Sequence, residues 1–451
     1  MVTPDYASGH PWEVYSKQIA LDYQQSFEEG LDVEKYRGVF LAVQDMPDGE
    51  EKEKIADVLF GIVASAPVRE GYEYNEPSDP DGIRALRKAY EFTRRTPSRE
   101  ELADRIRGAW LGRVAGCLLG KTVEGMRTDE LVPMLCETGN YPMTRYIRRS
   151  EITEEMLGKY KFNLRWRCYA DTVPYAPADD DTNYTVLAQK LVNGYGRDFT
   201  PENVAFEWQA SQPKYAYCTA ERVTIRNLCL AFKPPMTALY KNPYREWIGA
   251  QIRADYYGYI NPGDAQTAAD MAWRDASISH IKNGIYGEMF VAAALASAAV
   301  TDSVKDAIYG GLAEIPQTSR FYKYITDVIA KYDAGESAED VFAFIHETYD
   351  EHTDHGWCHT IPNAMIVVAS LLFGGGDYGK SVCLAVQTGF DTDCNGATVG
   401  SIFGMLHGAG AIPSEWTEPL KDRLETSITG MATVTFDDLV KKTLEHIPEK
   451  N

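Results

Sequence analysis

The sequence lacks several things, and each absence removes a class of protein. It has no apolar run near the roughly 20 residues that a membrane span requires; the longest, Met289–Val300 and Met365–Phe373, stop well short. The opening residues, MVTPDYASGHPWEVYSK, carry no apolar export core, so no signal peptide is expected. Cysteine is sparse and never closely paired: eight residues, scattered singly, with no CxxC. A chain of 451 residues can build a core without disulfide staples, so a reducing, cytoplasmic location is expected. Basic residues are outnumbered, with 45 Lys and Arg against 66 Asp and Glu, a net charge of −21. There is no Lys/Arg run, and an acidic chain repels a polyanion, which excludes nucleic acid as a main partner. Neither a GxSxG elbow nor an HExxH pair occurs, and GGGDYGK follows a helix-like run rather than the strand of a Rossmann loop. Nothing alternates long enough for a sheet; ATVTFDDL is the best short β-prone run.

What is present is helix. The chain is 44% hydrophobic and 12% aromatic, ample for a core and far from disorder. SKQIALDYQQSFEEGL and EEKEKIADVLFGIVAS space apolar residues at three and four. GYEYNEPSDPDG then reads as a loop or linker and sets a boundary near residues 72–83. We therefore expect an N-terminal helical extension over 1–82 and a main domain over 83–451. Trp12 and Tyr15 of the extension are expected to pack onto that domain. TPSREELADRIRGAW predicts a helix start, with Thr96 or Ser98 as cap, Pro97 in the first turn, and Glu100 and Glu101 favoured by the helix dipole. Two later segments carry glycine at every fourth position: 108, 112, 116 and 120, then 396, 400, 404 and 408. Each helical glycine costs about 1 kcal/mol relative to alanine, so such stripes predict close approach of another backbone inside a helical bundle.

Candidate chemistry lies near the ends of the stripes. ADDDTNYT holds Asp179, Asp180 and Asp181; TGFDTDCNGATVG holds Asp391 and Asp393 behind Gly389 and Phe390. Carboxylates brought together repel unless a cation neutralises them, and hard oxygen donors favour Mg²⁺ or Mn²⁺ over zinc. Glu124 follows the first stripe, and His280, with Asp275 to orient it, precedes an alanine-rich helix. Four of the eight histidines cluster in HETYDEHTDHGWCH as His346, His352, His355 and His359, beside Cys358. The last three share helical same-face spacing, so zinc is conceivable there; a loop or interdomain contact is the plainer reading.

RIRGAWLGRVAGCLLGKTVEG, ADDDTNYTVLAQKL, DASISHIKNGIYGEMFVAAALA and TGFDTDCNGATVGSIFGMLHGA, in that order, resemble the ADP-ribosylglycohydrolase family. The resemblance covers about residues 104 to 416. It implies an all-α fold and one or two Mg²⁺ ions, Mn²⁺ being possible, held by Asp179, Asp180, Asp181, Asp391 and Asp393. It implies hydrolysis of a glycosidic bond to ribose in an ADP-ribosylated or small-molecule substrate, with Glu124 and Asp181 catalytic. His280, Gly249, Arg253, Gly389 and Phe390 would meet the substrate, Gly249 and Arg253 being the best-aligned positions of WIGAQIRADYYGYINPG. Two positions depart from the family pattern: Asp179 replaces a Thr or Ser, and Cys394 replaces a Thr. The alternatives are hydrolysis of another small glycoside, or a catalytically silent metal-binding protein of the same fold.

Overall fold

The computed structural model describes residues 4–448. Helix dominates, and the extended backbone is a minor ornament: Leu424–Glu425 pairs antiparallel with Thr433–Val434, and the rest of ATVTFDDL opens the Phe436–His446 helix. No described helix is long and apolar enough to cross a membrane.

The two glycine stripes are each other's partners. The Arg99–Lys121 and Thr392–His407 helices lie antiparallel, with Gly108 against Gly404, Gly112 against Gly400, and Gly116 against Gly396. A methyl on any of these glycines would collide with the backbone carbonyl opposite. Helix contacts normally run through interlocked side chains; here backbone meets backbone, which only glycine permits. The register has a consequence at one end. Gly120 meets Thr392, whose hydroxyl donates to the Gly120 carbonyl at 2.9 Å. The C-terminus of one helix is thereby tied to the N-terminus of the other. The Lys282–Ala298 and Thr360–Gly374 helices are buried over most of their surface and complete the core, as helices apolar all round must be.

The cap expected before this pair is Ser98, whose hydroxyl accepts from Glu101 N–H at 3.1 Å; Pro97 precedes the cap rather than entering the first turn. In the N-terminal region, helices Ile19–Glu28, Arg37–Gln44 and Glu50–Ser65 close over a small apolar cluster that includes Tyr15, Phe40, Ala56 and Leu59. Trp12 lies in a turn and packs with Tyr244 and Trp247 of the main body, while Phe60 meets Tyr240 edge-on at 5.3 Å. The linker-like stretch after Gly71 is laid along the body. Buried Glu76 binds Arg320 at 2.9 Å and Asn283 at 2.9 Å, and the Ser78 carbonyl accepts from the Trp273 indole at 2.9 Å.

Candidate active site

The helix running Asp180–Tyr195 starts beside the glycine pair, so two helix N-termini converge. Each carries acids in or just before its first turn, where the helix dipole favours negative charge. Asp179 caps the first of them, accepting from Asp181 N–H at 2.9 Å. Its other oxygen is ion-paired with Lys121, at the end of the first glycine helix. Arg113, fully buried within the first stripe, donates to the Asp181 carbonyl at 2.7 Å and is ion-paired with Asp255 at 2.9 Å. Asp391 follows a kink in which Gly389 and Phe390 both have positive φ, +75° and +57°. For phenylalanine that backbone is costly, and it is held from outside: Glu351 accepts from Phe390 N–H at 3.3 Å and from Thr128 N–H at 2.9 Å. Asn363 then accepts from Asp391 N–H at 3.2 Å and from the Asn395 side chain at 2.8 Å. The Cys358 thiol points at Asp391, 3.6 Å away.

The result is a crowd of acids. Asp179, Asp181, Asp391 and Asp393 are buried; Asp180 and Glu124 are partly exposed. Burial, then the charge of Asp179, drives the Asp180 and Asp181 carboxyls well above their ordinary range. Burial and the charges of Glu124 and Asp391 do the same to Asp393. Burial also works against Asp179, but Lys121, together with the Asp181 N–H and the Cys117 thiol, outweighs it and holds that carboxyl low. Glu124 is pushed up to about 7, by burial first and then by Asp179 and Asp391. Two carboxylate oxygens, Asp181 Oδ2 and Asp393 Oδ1, are buried with no hydrogen-bond partner. An unpaired buried carboxylate is unfavourable, and a divalent cation is the group that would relieve it. Ligand atoms of Asp181, Asp393 and Cys394 all lie within 4.8 Å of one another. The donors suit a hard cation: most are carboxylate oxygens, although the Cys394 thiol is a poor partner for Mg²⁺.

Glu124, Asp179, Asp180, Asp181, Asp391 and Asp393 thus come together. Gly389 and Phe390 enter as the kink that aims Asp391. Gly249, Arg253 and His280 form a neighbouring buried network instead. Arg253 binds Glu221 at 2.6 Å and the Gly249 carbonyl at 2.9 Å, and Ser279 links it to His280 through contacts of 3.0 and 2.8 Å. None of their hydrogen bonds or ion pairs reaches a carboxylate of the cluster.

The histidines separate. His352 is exposed in a turn, and His346 meets the Thr388 carbonyl at 3.0 Å. His355 Nδ1 accepts from the Trp247 indole at 3.3 Å, so its Nε2–H donates to Glu28 of the extension at 2.9 Å. His359 Nδ1 accepts from Ile361 N–H at 3.2 Å, leaving Nε2–H toward Glu246. Both rings therefore lack a free lone pair for zinc, although their side chains lie close enough together with Glu28 to hold an ion. The pair is a contact between extension and body.

Sequence reading missed several participants. Lys121 stands three residues before Glu124, and Arg113 interrupts a glycine stripe, where a lone buried cation signals an ion pair. Arg167 donates to the Lys121 and Glu124 carbonyls at 3.0 and 2.8 Å and holds that loop. On the same side, the Arg127 guanidinium lies 4.5 Å from the Trp357 ring centroid. The segment set aside above as no Rossmann loop carries a second pattern, which the sequence reading took to be absent: GGGDYGKS, 374–381, spells the phosphate-loop string GxxxxGK[ST]. It follows a helix, and Asp377 caps the next one, accepting from Lys380 N–H at 2.7 Å while Ser381 N–H and Oγ bond the Asp377 carbonyl. Those donors are spent internally, and the stretch is a corner between helices.

An all-α protein with a buried acidic centre at paired helix N-termini defines the class. The family model described as ADP-ribosylglycohydrolase matches residues 98–447, and the chain belongs to that family of hydrolases. The family is generally metal-dependent, in keeping with the possible ligand groups found here. A solved structure described as an ADP-ribosylglycohydrolase-related protein complex is similar at 16% identity, covering 77% of this chain and 98% of its own, with a TM-score of 0.44. Comparison with curated proteins finds no match.

Proposed function

We propose that the chain is a metal-dependent hydrolase cleaving an N- or O-glycosidic bond to ribose, in an ADP-ribosyl group or a related riboside. One observation carries the reading: carboxylates from distant segments converge with buried oxygens that no protein group satisfies. A divalent cation, Mg²⁺ or Mn²⁺, held by Asp180, Asp181, Asp391 and Asp393, would supply Lewis acidity and fix a ribose hydroxyl and a water. Glu124, partly exposed and held near 7, is suited to take the water's proton and return one to the leaving group. The surrounding negative charge favours the positive, oxocarbenium-like transition state of glycosyl transfer. Arg127, whose guanidinium lies over the Trp357 ring, supports a phosphate-bearing substrate over a bare sugar.

We also propose that 83–451 is the catalytic domain and 1–82 an extension that braces it, because the extension has its own apolar cluster. The eight free cysteines support a reducing compartment. The test is a hydrolysis screen with Mg²⁺ and with Mn²⁺, pairing arginine- and serine-linked ADP-ribosyl peptides with nucleosides and simple glycosides. Release of ADP-ribose or ribose that is lost in Asp391→Asn is expected. No release from any member, or release unchanged in that variant, would contradict the proposal.

A further inference from the structure

The acidic centre offers two groupings of ligand atoms, and they differ in what already fills them. In one, Asp181, Asp393 and Cys394 lie within 4.8 Å of each other, and Asp181 Oδ2 and Asp393 Oδ1 are buried without a partner. In the other, Cys117, Asp179 and Asp181 lie as close. There Asp179 is spent: one oxygen accepts from Asp181 N–H at 2.9 Å and the other is ion-paired with Lys121. Asp181 also turns an oxygen to Arg113, 3.3 Å away. What remains in that grouping for a second ion is Asp181 Oδ2, which the first grouping also uses, and a buried thiol, a poor ligand for a hard cation.

Resting on the reading of this centre as a metal site, we infer that it takes a single divalent ion, on the Asp181–Asp393 side, and that the Lys121 ammonium is its resident second cation. The physical case is economy of charge. An ammonium brought by the chain neutralises Asp179 without a metal, and it repels a divalent ion most strongly in the grouping that contains Asp179. Lys121 is anchored at the end of the first glycine helix, whose pairing with Thr392 holds it against the acids.

The inference is tested by counting Mn²⁺ rather than by activity. Full-length protein is dialysed against Mn²⁺, bound metal is counted, and the frozen sample's electron paramagnetic resonance spectrum is recorded. One Mn²⁺ per chain with an uncoupled spectrum is expected for the wild type. Lys121→Met is expected to gain a second ion and the broadened signature of a spin-coupled pair. Two coupled ions in the wild type would overturn the inference while leaving the hydrolase reading intact. No bound Mn²⁺ in the wild type would overturn both. Should Lys121→Met fold poorly, the wild-type count alone decides, and Lys121→Arg, which keeps the charge, is expected to stay at one ion; a second ion in that variant would also count against the inference.

Discussion

Two buried regions of this molecule are rich in charge, and they are built oppositely. Where the extension meets the body, each buried acid has an arginine against it. Arg245 binds Asp22 at 2.6 Å and Glu29 at 2.7 Å; Arg320 binds Glu76 at 2.9 Å and Glu246 at 2.8 Å. In the acidic centre, six carboxyl groups face mainly Lys121 and Arg113, and Arg113 is shared with Asp255. The first arrangement sets an arginine against each of its acids and holds architecture together. The second needs something from outside, and that need separates a candidate site from an ordinary buried network.

Substitution should affect the two regions in opposite senses, and this is the largest contrast expected. Arg320→Met leaves Glu76 and Glu246 buried without their cation, a change typically costing about 3–5 kcal/mol; chemical denaturation should show it, with metal binding by the surviving folded protein unaltered. Asp393→Asn removes a repelled charge, so the metal-free protein should be equally or more stable, while Mg²⁺ binding and turnover collapse. Loss of stability in Asp393→Asn comparable to that of Arg320→Met would erase the distinction.

The glycine pair offers a comparison of similar weight. Gly112→Ala places a methyl on the Gly400 carbonyl and should cost several kcal/mol or prevent folding. Gly61→Ala lies in the Glu50–Ser65 helix with nothing within 4 Å of the added methyl, and should stabilise by up to about 1 kcal/mol. Thermal unfolding of both variants checks this.

The pH dependence should split as well. Glu124 is raised from an ordinary 4.5 to about 7, so the folded metal-free protein holds a proton there that the unfolded chain has released. Its contribution to stability falls as pH rises through that window, and the stabilisation given by Mg²⁺ should grow across it. Glu246 works the other way. Burial opposes its charge, but Arg320, His359 and Lys282 together outweigh burial and hold the carboxyl well below its usual value. The stability it contributes is present above about 4.5 and lost as pH falls below. Melting curves with and without Mg²⁺, in wild type and Glu124→Gln, separate the two.

A smaller effect is expected at Asn363, which positions the Asp391 loop. Asn363→Ala should lower metal affinity about 10- to 100-fold, as loss of a group that orients ligands commonly does. Calorimetric Mg²⁺ titration reads it.

Much of this was legible in the sequence, and the exceptions have a common cause. The glycine stripes announced a close backbone contact because their spacing is local; that each is the other's partner follows only once the helices lie antiparallel. The five aspartates announced a cation by their density. Lys121 and Asn363 did not stand out, because a single polar residue has meaning only through what lies opposite, and their partners are distant in sequence. His355 and His359 have ligand-like spacing, but the plainer reading as a contact is the one the geometry favours, because each ring's lone pair is taken by an N–H donor that the spacing does not reveal. GGGDYGKS shows the converse: a matching string means little where the preceding element is a helix.

The most direct test is the melting temperature of metal-free protein on adding Mg²⁺ or Mn²⁺, compared among wild type, Asp393→Asn and Arg320→Met. A rise in wild type and Arg320→Met, absent in Asp393→Asn, is expected if the acidic centre is the metal site. No rise in the wild type, or an equal rise in Asp393→Asn, would contradict it.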